Sequence, residues 1–156
     1  MQWFYDLIAN RVLLTAASAW LIAQVIKTII DFIVNKEFNI ERLVGAGGMP
    51  SCHSATVCAL ATISAFEYGL DSYAFAVAVI LAIIVMYDAR GVRRETGKQA
   101  VVIKQIADYL EAAQNGTLTP EFEEETLKEL VGHTPFQVGV GAVLGILIGV
   151  VSGLIF

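Results

Sequence analysis

Residues 135–156 read PFQVGVGAVLGILIGVVSGLIF. No charged side chain interrupts this run, and it exceeds the roughly 20 residues that an α-helix needs to cross the hydrocarbon core of a bilayer. Thr134 supplies a helix cap, and Pro135 takes the first helical position, where its missing N–H costs nothing. Gly141, Gly145, Gly149 and Gly153 recur at every fourth residue and so line one face of the helix. Small residues at this spacing let a second helix approach closely. That partner is either another helix of the same chain or a second copy, so a homo-oligomer through the stripe is one of two readings.

Three further apolar segments precede this one: Val12 to Val34, Pro50 to Tyr68 and Ser72 to Tyr87. The first two meet the lower limit of about 17 residues for a span, and the third does so by continuing into Asp88 and Ala89. Gly69 and Asp71 make a tight hairpin between the second and third, and Pro50 is expected in the first turn of its helix. Between the third and fourth segments lies a polar stretch, Asp88 to His133, with two helix candidates. Lys98 to Ala112 places Val102, Ile103, Ile106 and Leu110 on one face. Glu121 to Val131 opens with Glu121, Glu123, Glu124 and Glu125, which suit a helix N-terminus. The expected fold is all-α: one polytopic membrane domain over residues 1–156, with about four transmembrane helices and a polar helical insertion between the third and fourth. Composition agrees. The chain is 56% hydrophobic and 16% charged, with a mean hydropathy of +0.67, whereas a soluble domain carries more charge. The N-terminal residues lack a basic region ahead of the first apolar run, so that run is expected to be retained. Cys52 and Cys58 have no second pair, which argues against a disulfide framework or a zinc site.

The net charge of −5 conceals a segregation. If the helices alternate across the membrane, Arg11 alone lies on the N-terminal side. The other basic residues (Lys27, Lys36, Arg42, Arg90, Arg93, Arg94, Lys98, Lys104 and Lys128) lie on the other, the basic face. An excess of Lys and Arg marks the cytoplasmic side. Both histidines, His53 and His133, belong to the basic face too, each beside the start of a helix. Helix N-termini present unpaired N–H groups and a positive dipole end, and favour phosphate. Lys27 is set within an apolar helix, where a charge is costly and faces a cavity or a partner; Asp31, one turn on, is a structural partner within reach. The arrangement points to an anion site at the membrane surface. Nucleic acid is not an expected partner.

Three blocks carry a resemblance: GGMPSCHSA at 47–55, YDARGVRRETGKQA at 87–100 and GHTPFQVGVGAVLG at 132–145. The first resembles the P-S-G-H motif of the type 2 phosphatidic acid phosphatase superfamily, which includes vanadium haloperoxidases. The last resembles its final motif, a histidine heading a glycine-rich apolar helix. In this order they are similar to a small divergent branch of that superfamily. The resemblance implies that His133 attacks phosphorus to form a phosphohistidine and that His53 protonates the leaving alcohol. Lys27, Arg42, Gly48, Ser51, Arg93 and Arg94 would contact the phosphoryl oxygens, with no metal or other cofactor. One histidine must be neutral and the other protonated, so a bell-shaped pH profile is expected. The chain also departs from the pattern. Where the family has an arginine six residues before the late histidine, this chain has Leu127. Where it has an aspartate four residues after that histidine, this chain has Gln137, which accepts an N–H without supplying charge. Gln137 or Asp88 would then orient the imidazole.

The function expected from these readings is hydrolysis of an amphiphilic phosphomonoester by a multi-pass protein of the cell membrane, with its site on the cytoplasmic face. Phosphatidylglycerophosphate, phosphatidic acid and polyprenyl phosphates are the substrate candidates, and membrane lipids the expected partners. A non-enzymatic lipid-phosphate binder or translocator is the first alternative, and an oligomeric membrane scaffold the second.

Overall fold

The computed structural model describes residues 2–36, 48–91, 99, 102–110 and 134–155. Five helices frame it: α1 (Gln2–Ile8), α2 (Arg11–Asn35), α3 (Cys52–Tyr68), α4 (Tyr73–Arg90) and α5 (Pro135–Ile155). Residues 102–110 are also helical, within the expected 98–112 helix. The helix expected over 121–131 lies outside the described residues. The protein is an all-helical membrane protein, as its pattern predicts. Helices α2, α4 and α5, of 25, 18 and 21 residues, are long and apolar enough to cross a bilayer.

Local chemistry sets the boundaries. Asn10 caps α2 by accepting the Leu13 N–H at 3.0 Å, and Ser72 caps α4 by accepting the Phe75 N–H at 3.1 Å. Gly69 ends α3 with φ +86, a conformation that glycine adopts without steric cost. Pro50 does not enter the first turn of α3 as expected. Ser51 takes the N-cap, its hydroxyl accepting the Ser54 N–H at 3.4 Å, and so Pro50 stays two residues outside the helix. α4 continues past Tyr87 through Asp88 and Ala89 to Arg90, as the length of a span requires. α1 was not legible in the sequence as a separate helix.

α3 is the central helix, and the other three surround it. Its sequence, CHSATVCALATISAFEY, carries small side chains on every face, so three helices can approach it at once. Ala55, Ala59 and Ile63 are fully buried. α5 runs parallel to α3 and lays its glycine stripe along it. Gly141 lies against the Ser51 backbone, Gly145 against that of Ala55, Gly149 against Ala59 and Thr62, and Gly153 against the Phe66 ring. Within the chain, the glycines of the stripe thus pack against α3.

α2 and α4 run antiparallel to α3. The Arg11 guanidinium pairs with the Glu67 carboxylate at 2.7 Å, joining the start of α2 to the end of α3. Thr15 Oγ1 and Ser152 Oγ are 2.7 Å apart, joining α2 to the end of α5; such interhelical bonds contribute about 0.6 kcal/mol on average in membranes. Further along, Ala23 packs with Cys52 and Ala55, and Leu144 closes on the same cluster. The Cys58 and Met86 sulfurs, 3.8 Å apart, tie α3 to α4. Both cysteines are free thiols and buried. The alternation gathers the starts of α3 and α5 and the ends of α2 and α4 at one end of the bundle, the end that the sequence marks as the basic face.

Candidate functional site at the basic face

Lys27 sits on the buried face of α2, one turn beyond Ala23, and is 3% exposed. Gln24 lies one turn earlier on the same face and is also buried. Two polar side chains buried at this depth in a membrane helix are expensive, and they face the bundle interior where function needs them. Gln24 was missed in the sequence. The available signal was a second polar residue three positions before the lysine, in phase with it on the helix.

The Lys27 stem runs directly past Gly48. A Cβ built on Gly48 would stand 3.0 Å from Lys27 Cδ and 3.1 Å from Cγ. Gly48 also has φ +83, so both its backbone and its close neighbour call for glycine. From Gly48 the chain passes through Met49 and Pro50 to Ser51. Ser51 is fully buried, and its Oγ accepts from both the Ser54 N–H and the Ser54 hydroxyl, the latter at 3.1 Å. Two accepted bonds leave the Ser51 O–H hydrogen as a donor. His53 follows in the first turn of α3, half-buried, with Nδ1 3.7 Å from the Cys52 sulfur.

The start of α5 is locked to this segment. The Ser51 N–H donates to the Gln137 carbonyl at 3.2 Å, so that amide is taken by the helix pair itself. Gln137 also forms a reciprocal cap with Thr134. Its Oε1 accepts the Thr134 N–H at 2.9 Å, and its own N–H reaches Thr134 Oγ1 at 3.3 Å. This is the capping box that a Thr-x-x-Gln spacing encodes, and it was readable in the sequence. The side chain standing where the family pattern has an aspartate thus holds the first turn of α5, immediately after His133.

Lys27, Gly48, Ser51, His53 and Gln137 therefore converge where two parallel helices begin. Their N-terminal dipole ends point the same way and add to the lysine charge, an arrangement that favours an anion. Asp88 is half-buried near the end of α4 at this same end of the bundle, two residues beyond the Met86 that touches Cys58. Arg42, Arg93, Arg94 and His133 lie outside the described residues. Among the described residues no three His, Cys, Asp or Glu side chains gather closely enough to share a metal ion.

No solved structure matches the chain. The membrane protein YuiD of Bacillus subtilis (strain 168) is 43% identical over 156 residues, which covers 97% of this chain and 99% of that protein. Residues 8–148, from the end of α1 into the last turns of α5, match the profile of the Divergent PAP2 family. With that match over most of its length and a relative this similar end to end, the chain belongs to the Divergent PAP2 family.

Proposed function

We propose that this protein is a lipid-phosphate phosphatase of the cell membrane that works at the cytoplasmic face without a metal. His133 is the nucleophile and His53 the general acid. Lys27, Gly48 and Ser51, with Arg42, Arg93 and Arg94, hold the phosphoryl oxygens. The observation that carries this reading is the buried Lys27 running past Gly48 beside two parallel helix N-termini. Phosphoryl transfer asks a protein chiefly for positioning and for neutralisation of the equatorial oxygens, and such a cluster provides both. The balance of charges along the chain supports the cytoplasmic placement. An amphiphilic phosphomonoester, such as phosphatidylglycerophosphate, phosphatidic acid or a polyprenyl phosphate, keeps its chains in the bilayer while its headgroup reaches this level.

The test is phosphate release by the purified protein in detergent, with each of the three lipids and with EDTA present. Turnover that persists in EDTA and differs among the lipids supports the reading and ranks the substrates. Lipid-phosphate binding without turnover on any of them favours the carrier instead. The engagement of Gln137 in the α5 cap gives that second reading its specific support, because no carboxylate stands four residues after His133.

Lys27→Met is a sharper probe. Methionine keeps an unbranched stem along Gly48 and removes the charge, so the bundle is expected to remain folded. Turnover is expected to fall about 10²–10³-fold, as for the loss of one preorganised donor to a developing anion. Unchanged turnover in a folded variant would remove Lys27 from the phosphate contacts.

A further inference from the structure

None of the seven residues of α1 is buried. Trp3 and Tyr5 are 72% and 61% exposed, and Phe4, Leu7 and Ile8 are exposed beside them. Two pairs of rings touch edge to face, Trp3 with Phe4 at 6.0 Å and Phe4 with Tyr5 at 6.4 Å. A helix this short is marginal in water, since isolated helices below about 12–15 residues seldom persist. The side chains are nonetheless sorted. Gln2 and Asp6 fall one turn apart on one side, while Trp3 with Leu7 and Phe4 with Ile8 fall one turn apart on the other.

The junction with α2 sets the level of α1 relative to the bilayer. Ala9 and Asn10 alone separate the two helices, and the joint is ordered. The Ala9 N–H donates to the Tyr5 carbonyl at 2.9 Å, and Asn10 caps α2. α2 then starts with Arg11, paired with Glu67, and the rest of its first turn exposes Leu13 and Leu14 outward. The partly exposed ion pair belongs to the polar zone of the leaflet, and the exposed leucines belong to its hydrocarbon. α1 is therefore held at the boundary between them, on the leaflet opposite the basic face.

We propose that α1 is an interfacial anchor, lying in the plane of that leaflet with Trp3, Phe4, Leu7 and Ile8 turned into the acyl chains and Gln2 and Asp6 toward the headgroups. Trp and Tyr rings gather at this depth because they are apolar bodies with polar tips. Amphipathic helices lie there by burying one face. The anchor fixes the tilt and rotation of α2, and so the depth at which Lys27 sits, without touching the candidate site. Because α1 contains neither Lys nor Arg, its binding does not need anionic lipid.

The sequence contains two tryptophans, Trp3 and Trp20, and Trp20 faces outward from α2. The full-length Trp20→Phe protein, reconstituted in phosphatidylcholine vesicles, reports on Trp3 alone; Trp3→Phe reports on Trp20 as the deep reference. Lipids brominated near the headgroup or near the chain end serve as quenchers. Trp3 is expected to be quenched about twofold or more better by the shallow bromines than by the deep ones, with Trp20 showing the reverse order. Water-like Trp3 emission with no quenching by either lipid would overturn the proposal. So would quenching of Trp3 chiefly by the deep bromines, or protection of Trp3 from both quenchers by a second copy of the chain.

Discussion

In His133→Ala, phosphate release from every lipid phosphate that the unaltered protein hydrolyses is expected to fall by at least about a thousandfold, the scale on which loss of a nucleophile acts. On the proposed mechanism no phosphoenzyme forms without the imidazole. Water attacking directly retains only the positioning and charge of the remaining groups. His53→Ala is expected to lose less, within the roughly 10²–10⁴-fold range of general acid catalysis, because a phosphorylated intermediate still has its nucleophile. The substitution at His133 is expected to spare the fold. The start of α5 is held by the Thr134–Gln137 cap and by the Ser51 N–H bond to the Gln137 carbonyl, neither of which uses the histidine side chain. The measurements are phosphate release with EDTA present and thermal unfolding of the same samples. Full turnover in a folded His133→Ala protein would end the phosphohistidine reading. Loss of turnover with retained lipid-phosphate binding is what it requires.

The second large effect concerns the seam between α3 and α5. In Gly145→Ala one added methyl meets the Ala55 backbone, with the Ala55 carbonyl oxygen nearest and its C and Cα both at 2.9 Å. Main-chain atoms inside a helix cannot rotate aside, so the two helices must separate. Overpacking of this kind costs about 1–3 kcal/mol or more, against which the better helix propensity of alanine returns at most about 1 kcal/mol. Gly139→Ala is the matched control: nothing lies near its Cβ, so stability is expected to hold or to rise by up to about 1 kcal/mol. Thermal unfolding in detergent, followed by circular dichroism, separates the two. Equal stability of both variants would refute the seam. A stripe used between copies would instead leave the protomer stable and abolish its assembly. Since Gly141 packs against Ser51 in the same seam, a displaced α5 also moves the first turn of α3, and turnover is expected to fall together with stability.

The membrane architecture was legible because apolar runs of spanning length have few alternatives in lipid, where backbone groups must be satisfied within the segment. The limits of α4, the Thr134 cap and the hairpin at Gly69 followed from local chemistry that acts over a few residues. The collection of His53, Lys27 and the two helix starts at one end followed from alternation alone, since the direction of successive spans places each terminus. Pro50 was misplaced because proline and serine both suit a helix start, and only the hydroxyl bond to the Ser54 N–H decides between them. α1 escaped because a short segment of Trp, Phe and Tyr has no periodicity beyond two turns.

Other features depended on which helices meet. A stripe of glycines announces that something approaches closely, but the same stripe serves a neighbour in the chain or a second copy; it is the parallel register with Ser51, Ala55, Ala59 and Phe66 that assigns it to α3. That register also spends the Ser51 amide on the Gln137 carbonyl, and the packing of α2 sets the Lys27 stem beside Gly48, contacts between residues far apart in the chain. The sequence by itself determined the three apolar spans and the end at which His53 and Lys27 gather, because hydropathy and helix capping act locally. The tertiary structure alone decided that α3 is the centre, that the glycines pack within the chain and that Lys27 lies against Gly48, because close packing depends on the shape of two surfaces and neither is written in one segment.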